Sequence, residues 1–145
     1  MPKVTFYTHV AKREQFINRL CRRAAAEGRV LLWLADEAES VRIDQDLWRE
    51  PPESFLPHEF WQPPAVYPAD VPVVLAAGNE LPELAAGIVV LNSSDLFWCD
   101  APQPPQRVLE IVGDSLEDLA AARDRFRAYR ASGFEIEHYN MQGKG

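Results

Sequence analysis

Cysteine is scarce in these 145 residues: only Cys21 and Cys99 occur, without the paired spacing that zinc sites and disulfide scaffolds use. Two buried thiols are expected instead. Glycine is missing where a nucleotide would need it. The turn after the first predicted strand reads Thr8-His9-Val10-Ala11, so no glycine lets the backbone approach a pyrophosphate there. No G-x-x-x-x-G-K-S/T sequence occurs anywhere in the chain, which removes the other common phosphate cradle. Long apolar runs are missing too, since residues 71–77 and 88–91 fall far short of the ~20 needed to cross a bilayer. The opening Met1-Pro2-Lys3-Val4-Thr5-Phe6-Tyr7 lacks the basic segment and apolar stretch of a signal peptide, so the expected location is the cytoplasm. An excess of positive charge is also absent. With a net charge of −7 the chain as a whole repels phosphates, and direct high-affinity binding of nucleic acid is not expected.

What is present describes a folded protein. Hydrophobic residues make up 47% and charged residues 26%, with seven Phe and four Trp, a composition that closes around a single core at this length. One domain is expected over residues 1–140, with 141–145 as a flexible tail. Charge is unevenly spread. Asp36 to Glu59 holds eight acids against Arg42 and Arg49, whereas Arg123 to Arg130 holds four arginines against Asp124 alone, which marks two different surfaces.

Val4 to Thr8 reads as a first strand and Ala11 to Glu27 as a helix, with Phe16, Leu20 and Ala24 on one face and Gly28 as its stop. Arg29 to Leu34, apolar in five successive positions, reads as a strand covered on both faces. Together these suggest a right-handed βαβ unit. Asp36 can cap a second helix that runs to about Trp48, ended by Pro51-Pro52. Residues 50–70 carry six prolines among Phe55, Phe60, Trp61 and Tyr67, too proline-broken for regular structure yet too aromatic to lie bare. Val71 to Ala76, Ile88 to Leu91 and Arg107 to Val112 add three strands, for at least five in all. Ser115 starts a last helix ending at Gly133, followed by an extended segment through Phe134, Ile136 and His138. The expected architecture is α/β: a three-layer, Rossmann-like sheet, mostly parallel, with flanking helices.

Catalytic signatures are weak. His9 sits at the carboxyl end of the first strand, where α/β folds place reactive groups, and could act as a general base. No nucleophile or orienting acid nearby in sequence singles it out. Asp36, Glu37 and Glu39 could hold Mg²⁺, although such acids more often favour the positive end of a helix. His58 and His138 read as surface or interface groups, and no H-x-x-x-H or C-x-x-C spacing supports a metal site. No cofactor is expected. The enzyme alternative is a small hydrolase or nucleotide-binding enzyme working from His9 and Asp36.

Two features suggest binding instead. On the last helix Leu119, Ala122, Phe126 and Tyr129 form a core-directed stripe, with Arg123, Arg127 and Arg130 one position on as a basic ridge. Val112 and Ile136 are expected to pack nearby. Such a ridge suits an acidic peptide with an apolar anchor; the plain alternative is a solvated helix face. The second feature is the segment from Leu47 to His58, where a helix end delivers Trp48 and a proline-stiffened loop delivers Phe55. Both rings could anchor a partner or fold back onto their own sheet.

Three segments resemble one family: Thr5-Phe6-Tyr7; Arg29-Val30-Leu31 through Asp46-Leu47-Trp48 to Glu53-Ser54-Phe55-Leu56-Pro57-His58; and Arg125-Phe126-Arg127-Ala128-Tyr129-Arg130 with Gly133-Phe134. Their order and spacing are similar to those of the chi subunits of bacterial DNA polymerase III. The resemblance implies a Rossmann-like fold without nucleotide chemistry, a non-catalytic link between clamp loader and single-stranded DNA-binding protein, and a heterodimer with the psi subunit. It further implies that Trp48 and Phe55 serve the psi contact. Arg123 and Arg127, with a pocket of Val112, Phe126 and Ile136, would take the acidic, phenylalanine-ended tail of single-stranded DNA-binding protein, and Arg130 joins them as a further cation. Leu119 stands where some relatives carry a basic residue one turn before Arg123.

Overall fold

The computed structural model describes residues 2–49, 56–63 and 65–143. Seven strands form one sheet: β1 (Lys3–Val10), β2 (Arg29–Leu34), β3 (His58–Phe60), β4 (Val73–Ala77), β5 (Ile88–Asn92), β6 (Arg107–Gly113) and β7 (Glu135–Asn140). Their spatial order is β3-β4-β2-β5-β6-β1-β7, and every ladder is parallel. Helices α1 (Arg13–Ala25), α2 (Glu37–Arg49) and α3 (Leu116–Ala131) flank it. The α/β, three-layer, parallel architecture read from the sequence is therefore the one observed.

Strand alternation divides the core in two. On one face Val30, Leu32, Leu34, Val73, Leu75, Leu91, Leu109 and Ile111 meet Phe16, Ile17, Leu20 and Cys21 of α1 and Ile43 and Leu47 of α2. On the other, Val4, Phe6, Leu31, Trp33, Val74, Val90, Val108 and Val112 meet Ala122 and Tyr129 of α3. One helix cannot roof that second face, so loop residues complete it: Trp61, Leu84 and Trp98 are buried there, with Tyr67 packed against them. Trp61 donates its indole N–H to the Ala65 carbonyl at 2.8 Å and meets Tyr67 edge-on, so of the rings expected to be covered these two are; Phe60 is exposed, and Phe55 lies outside the described residues.

Several local readings change. The chain from residue 58 to 60 is strand, not irregular, because an edge strand needs only the three pairings His58, Glu59 and Phe60 make with β4. β1 and β2 are not neighbours; β5 and β6 lie between them, so α1 carries the chain across two strand positions. Helix α1 ends before Gly28, whose N–H bonds the Ala24 carbonyl at 3.2 Å, and the cap residue Ala26 stays right-handed. Gly133 does take the left-handed turn expected of it, at φ +83°. Asp36 caps α2 as expected, its carboxylate accepting from the Glu39 N–H at 2.8 Å. Both cysteines are buried.

Candidate binding surfaces

Helix α3 is fixed at both ends. Ser115 accepts from the Asp118 N–H at 3.0 Å as its N-cap, Glu117 and Asp118 lie in the first turn, where the helix dipole favours acids, and Gly133 turns the chain into β7. Its rotation about its own axis decides the surface. Ala122, Arg125 and Tyr129 point inward; Arg123, Arg127 and Arg130 face solvent. The apolar stripe expected from spacing is thus corrected: Phe126 is 36% exposed and Leu119 half-buried, while Arg125 takes the inner position.

An arginine can point inward because an acid waits for it. Glu110, midway along apolar β6, is fully buried. Arg125 Nε donates to its Oε1 at 3.1 Å, Tyr129 Oη donates to Oε2 at 2.6 Å, and Asn92 Nδ2 lies 3.0 Å from both oxygens. A second Arg125 nitrogen reaches the exposed Asp95 at 3.3 Å. Burial holds the Glu110 carboxyl above its usual range, against the opposing pull of Arg125, Tyr129 and Asn92. Burial, with Glu110 beside it, pushes the Tyr129 phenol well above its ordinary value. The sequence does carry a signal for this network: an acid inside the run Val108-Leu109-Glu110-Ile111-Val112 demands a buried donor partner.

Between α3 and the carboxyl ends of β1 and β7 lies a cavity of 380 Å³. Phe6, Leu119, Ala122 and Phe126 give it apolar walls, and Arg123, Thr8, His9 and His138 give it polar ones. Arg123 and Phe126 thus come together at one opening. Arg127 and Arg130 lie on the same exposed helix side, outside the cavity lining, and Arg127 makes only an exposed 3.2 Å pair with Asp124. Among the described residues Arg123 and Arg130 have no ion-pair partner. Val112 is buried in the core cluster that also holds Phe6 and Ala122, and Ile136 packs half-buried against that cluster; neither is among the residues that line the cavity.

The other surface centres on the end of α2. Trp48 is 48% exposed and Val41 is exposed beside the same face, so Trp48 is not folded back into the sheet. Its ring packs on the His58 imidazole with centroids 4.1 Å apart. His58, expected at the surface, is buried. Its Nδ1 lies 2.7 Å from the Leu56 carbonyl and its Nε2 3.0 Å from an Asp44 carboxylate oxygen, so it ties the chain after Leu56 to α2 and props the indole from below. Phe55 lies outside the described residues. Helix α2 packs on β4 and β2 and α3 on β6, β1 and β7, so the two surfaces occupy opposite faces and opposite halves of the sheet.

Two of the acids considered for catalysis or metal binding, Asp36 and Glu39, are committed elsewhere. Asp36 is spent on the α2 cap. Glu39, buried, accepts from the Ala35 N–H at 3.2 Å and pairs with Arg13 at 3.0 Å. His9 contacts the Thr8 hydroxyl, and among the described residues no acid bonds to its ring. Among the described residues no three His, Cys, Asp or Glu side chains converge as metal ligands, and no helix is long and apolar enough to cross a membrane.

The family model described as "DNA polymerase III chi subunit, HolC" matches residues 1–137. DNA polymerase III subunit chi of Pseudomonas aeruginosa is 32% identical over 152 aligned positions, covering 97% of this chain and 98% of that protein. The Escherichia coli subunit chi is 32% identical over 111 positions, 74% of this chain and 71% of that one. A family match across nearly the whole length, on a parallel α/β sheet, decides the matter: the chain belongs to the DNA polymerase III chi subunit family.

Proposed function

We propose that this protein is a non-catalytic subunit of the replication machinery that joins the clamp loader, through the psi subunit, to the acidic C-terminal tail of single-stranded DNA-binding protein. It works in the cytoplasm without a cofactor. The observation that carries the reading is Arg123, a cation without an ion-pair partner among the described residues, at the lip of a largely apolar cavity bordered by the exposed Phe126 ring. An acidic peptide ending in phenylalanine matches both halves: its carboxylates meet Arg123, Arg127 and Arg130, and its ring enters among Phe6, Leu119 and Phe126. Val112 and Ile136 act as the packing behind that pocket. Leu119 contributes apolar wall in place of a further cation.

Psi binds the other surface, through Trp48 on its His58 support and through Phe55. Because the surfaces lie on opposite faces of one sheet, both partners can be held at once. The test is a calorimetric titration with a synthetic acidic peptide ending in phenylalanine. Binding at low salt that weakens several-fold on adding salt supports the reading, since these charge contacts are exposed and screened; no binding at low salt refutes it.

A further inference from the structure

The α1 side of the sheet holds another recess, also of 380 Å³, that neither proposed binding surface uses. It lies beside the last turns of α1, where Gly87 precedes β5 and Arg107 begins β6. Leu20, Val89 and Leu109 give it apolar walls, and Tyr7, Arg23, Glu27 and Arg107 give it polar ones. Leu20 and Leu109 belong to the core between α1 and the sheet, so this recess and the α3 cavity lie on opposite faces and share no residue.

Neither arginine has the acid that a partly buried guanidinium normally takes. Arg107 is half-buried, yet only its Nη1 is used, on the Val108 and Lys3 carbonyls at 3.4 and 3.5 Å. Those contacts anchor the side chain and leave Nε and Nη2 without a partner among the described residues. Arg23, exposed in the last turn of α1, likewise pairs with no acid among the described residues. Tyr7 is held by Phe16 and Tyr139, with ring centroids 5.2 and 5.7 Å away, and its hydroxyl has no hydrogen-bond partner among the described residues. Burial holds the Tyr7 phenol above its ordinary value, while Arg107 and Arg23 act against that rise, so both cations are within electrostatic reach of the hydroxyl.

One arginine fork satisfies a carboxylate, whereas a dianionic phosphate offers three oxygens to several donors. The structure assigns this recess as a binding site for a phosphomonoester. The phosphate accepts from Arg107, Arg23 and the Tyr7 hydroxyl, and the organic group it carries lies against Leu20, Val89 and Leu109. Glu27 is the one acid in the lining and pairs with neither arginine, so it weakens the site's attraction for an anion. The cradle is built from side chains, which is why no glycine-rich phosphate motif announces it.

A free nucleotide and the 5′-phosphate end of a DNA strand both carry this group, and the test separates them. Deoxythymidine monophosphate, thymidine, and a short oligothymidylate with and without a 5′-phosphate are each titrated at low salt and followed by NMR of the labelled protein. Phosphorylated ligands should bind at least about tenfold more tightly than their unphosphorylated counterparts, as for hydrogen bonds to a charged group. Binding of the mononucleotide alone identifies a free nucleotide; binding of the phosphorylated strand identifies a strand end. Arg107→Met and Tyr7→Phe, each confirmed folded by a thermal melt, should each lose about tenfold, and Glu27→Gln should bind more tightly than wild type. Tyr7→Phe keeps the ring contacts, so its loss reads the hydroxyl and not the packing. The site is overturned if neither phosphorylated ligand binds, if removing the phosphate costs no affinity, or if Arg107→Met and Tyr7→Phe bind as wild type does.

Discussion

Arg125 Nε donates to Glu110 Oε1 across 3.1 Å, and this contact sets which side of α3 meets the solvent. With Arg125 and Tyr129 turned onto the buried carboxylate, Arg123, Phe126 and Arg127 are left on the outer side. The outward arginine ridge is thus a consequence of a core ion pair. Removing one partner strands a buried charge, which typically costs 3–5 kcal/mol, whereas replacing both with apolar groups often costs far less. Arg125→Met should therefore lower unfolding stability by about 3 kcal/mol, and Glu110→Leu/Arg125→Met by clearly less. Urea unfolding of the set checks this; a double variant as unstable as the single would contradict it.

The same carboxyl makes stability depend on pH. Burial raises the folded pKa of Glu110 above its ordinary 4.5, so between those values the folded state holds more protons than the unfolded one. That contribution is complete below 4.5 and is lost as pH rises through the folded value. Glu110→Gln lacks it. The stability of wild type minus that of Glu110→Gln should fall as pH is raised from 4.5 and then level off; a difference that rises with pH would contradict the assignment.

Cys21 is sealed between α1 and the sheet, and burial pushes its thiol up to about 12. Since the thiolate is the reactive form, Cys21 in a Cys99→Ser background should resist a disulfide reagent at pH 8 and react only as fast as the protein unfolds. Mass spectrometry over time, with and without denaturant, measures this. Rapid native labelling would mean the α1 packing is wrong.

Trp48 rests half-exposed on His58, so its removal should affect binding more than folding. Trp48→Ala is expected to cost about 1 kcal/mol of stability, the scale of a lost ring contact. Its capture of psi should fall by at least about thirtyfold, as for an interface hot spot. Phe55→Ala should act in the same direction. Unchanged psi co-purification by Trp48→Ala would remove this surface from the account.

Much of the fold is legible in the sequence because its signals are local. The five-residue apolar run of β2, the Asp36 and Ser115 caps and Gly133 each declare their element by side-chain chemistry alone. Strand order is not local, and nothing in the sequence separates β1 from β2 by two intervening strands. The short β3 is hidden because proline-rich surroundings outweigh a three-residue signal. On α3, spacing places Phe126 and Tyr129 on one stripe, and only the buried Glu110 reveals that Arg125 rotates Phe126 outward. The cations of the ridge are legible as charge. The cavity beside them is not, because Phe6, His9 and His138 come from the two ends of the chain and meet only where β1 pairs with β7.

The central claim is that the outward arginines of α3 hold an acidic peptide, and calorimetry of Arg123→Ala and Arg127→Ala at low salt tests it most directly. Each lost charge-assisted contact should weaken binding of the phenylalanine-ended peptide by roughly tenfold, more for Arg123 at the cavity lip than for Arg127 outside it, with unfolding stability unchanged. Wild-type affinity in both variants would contradict the account.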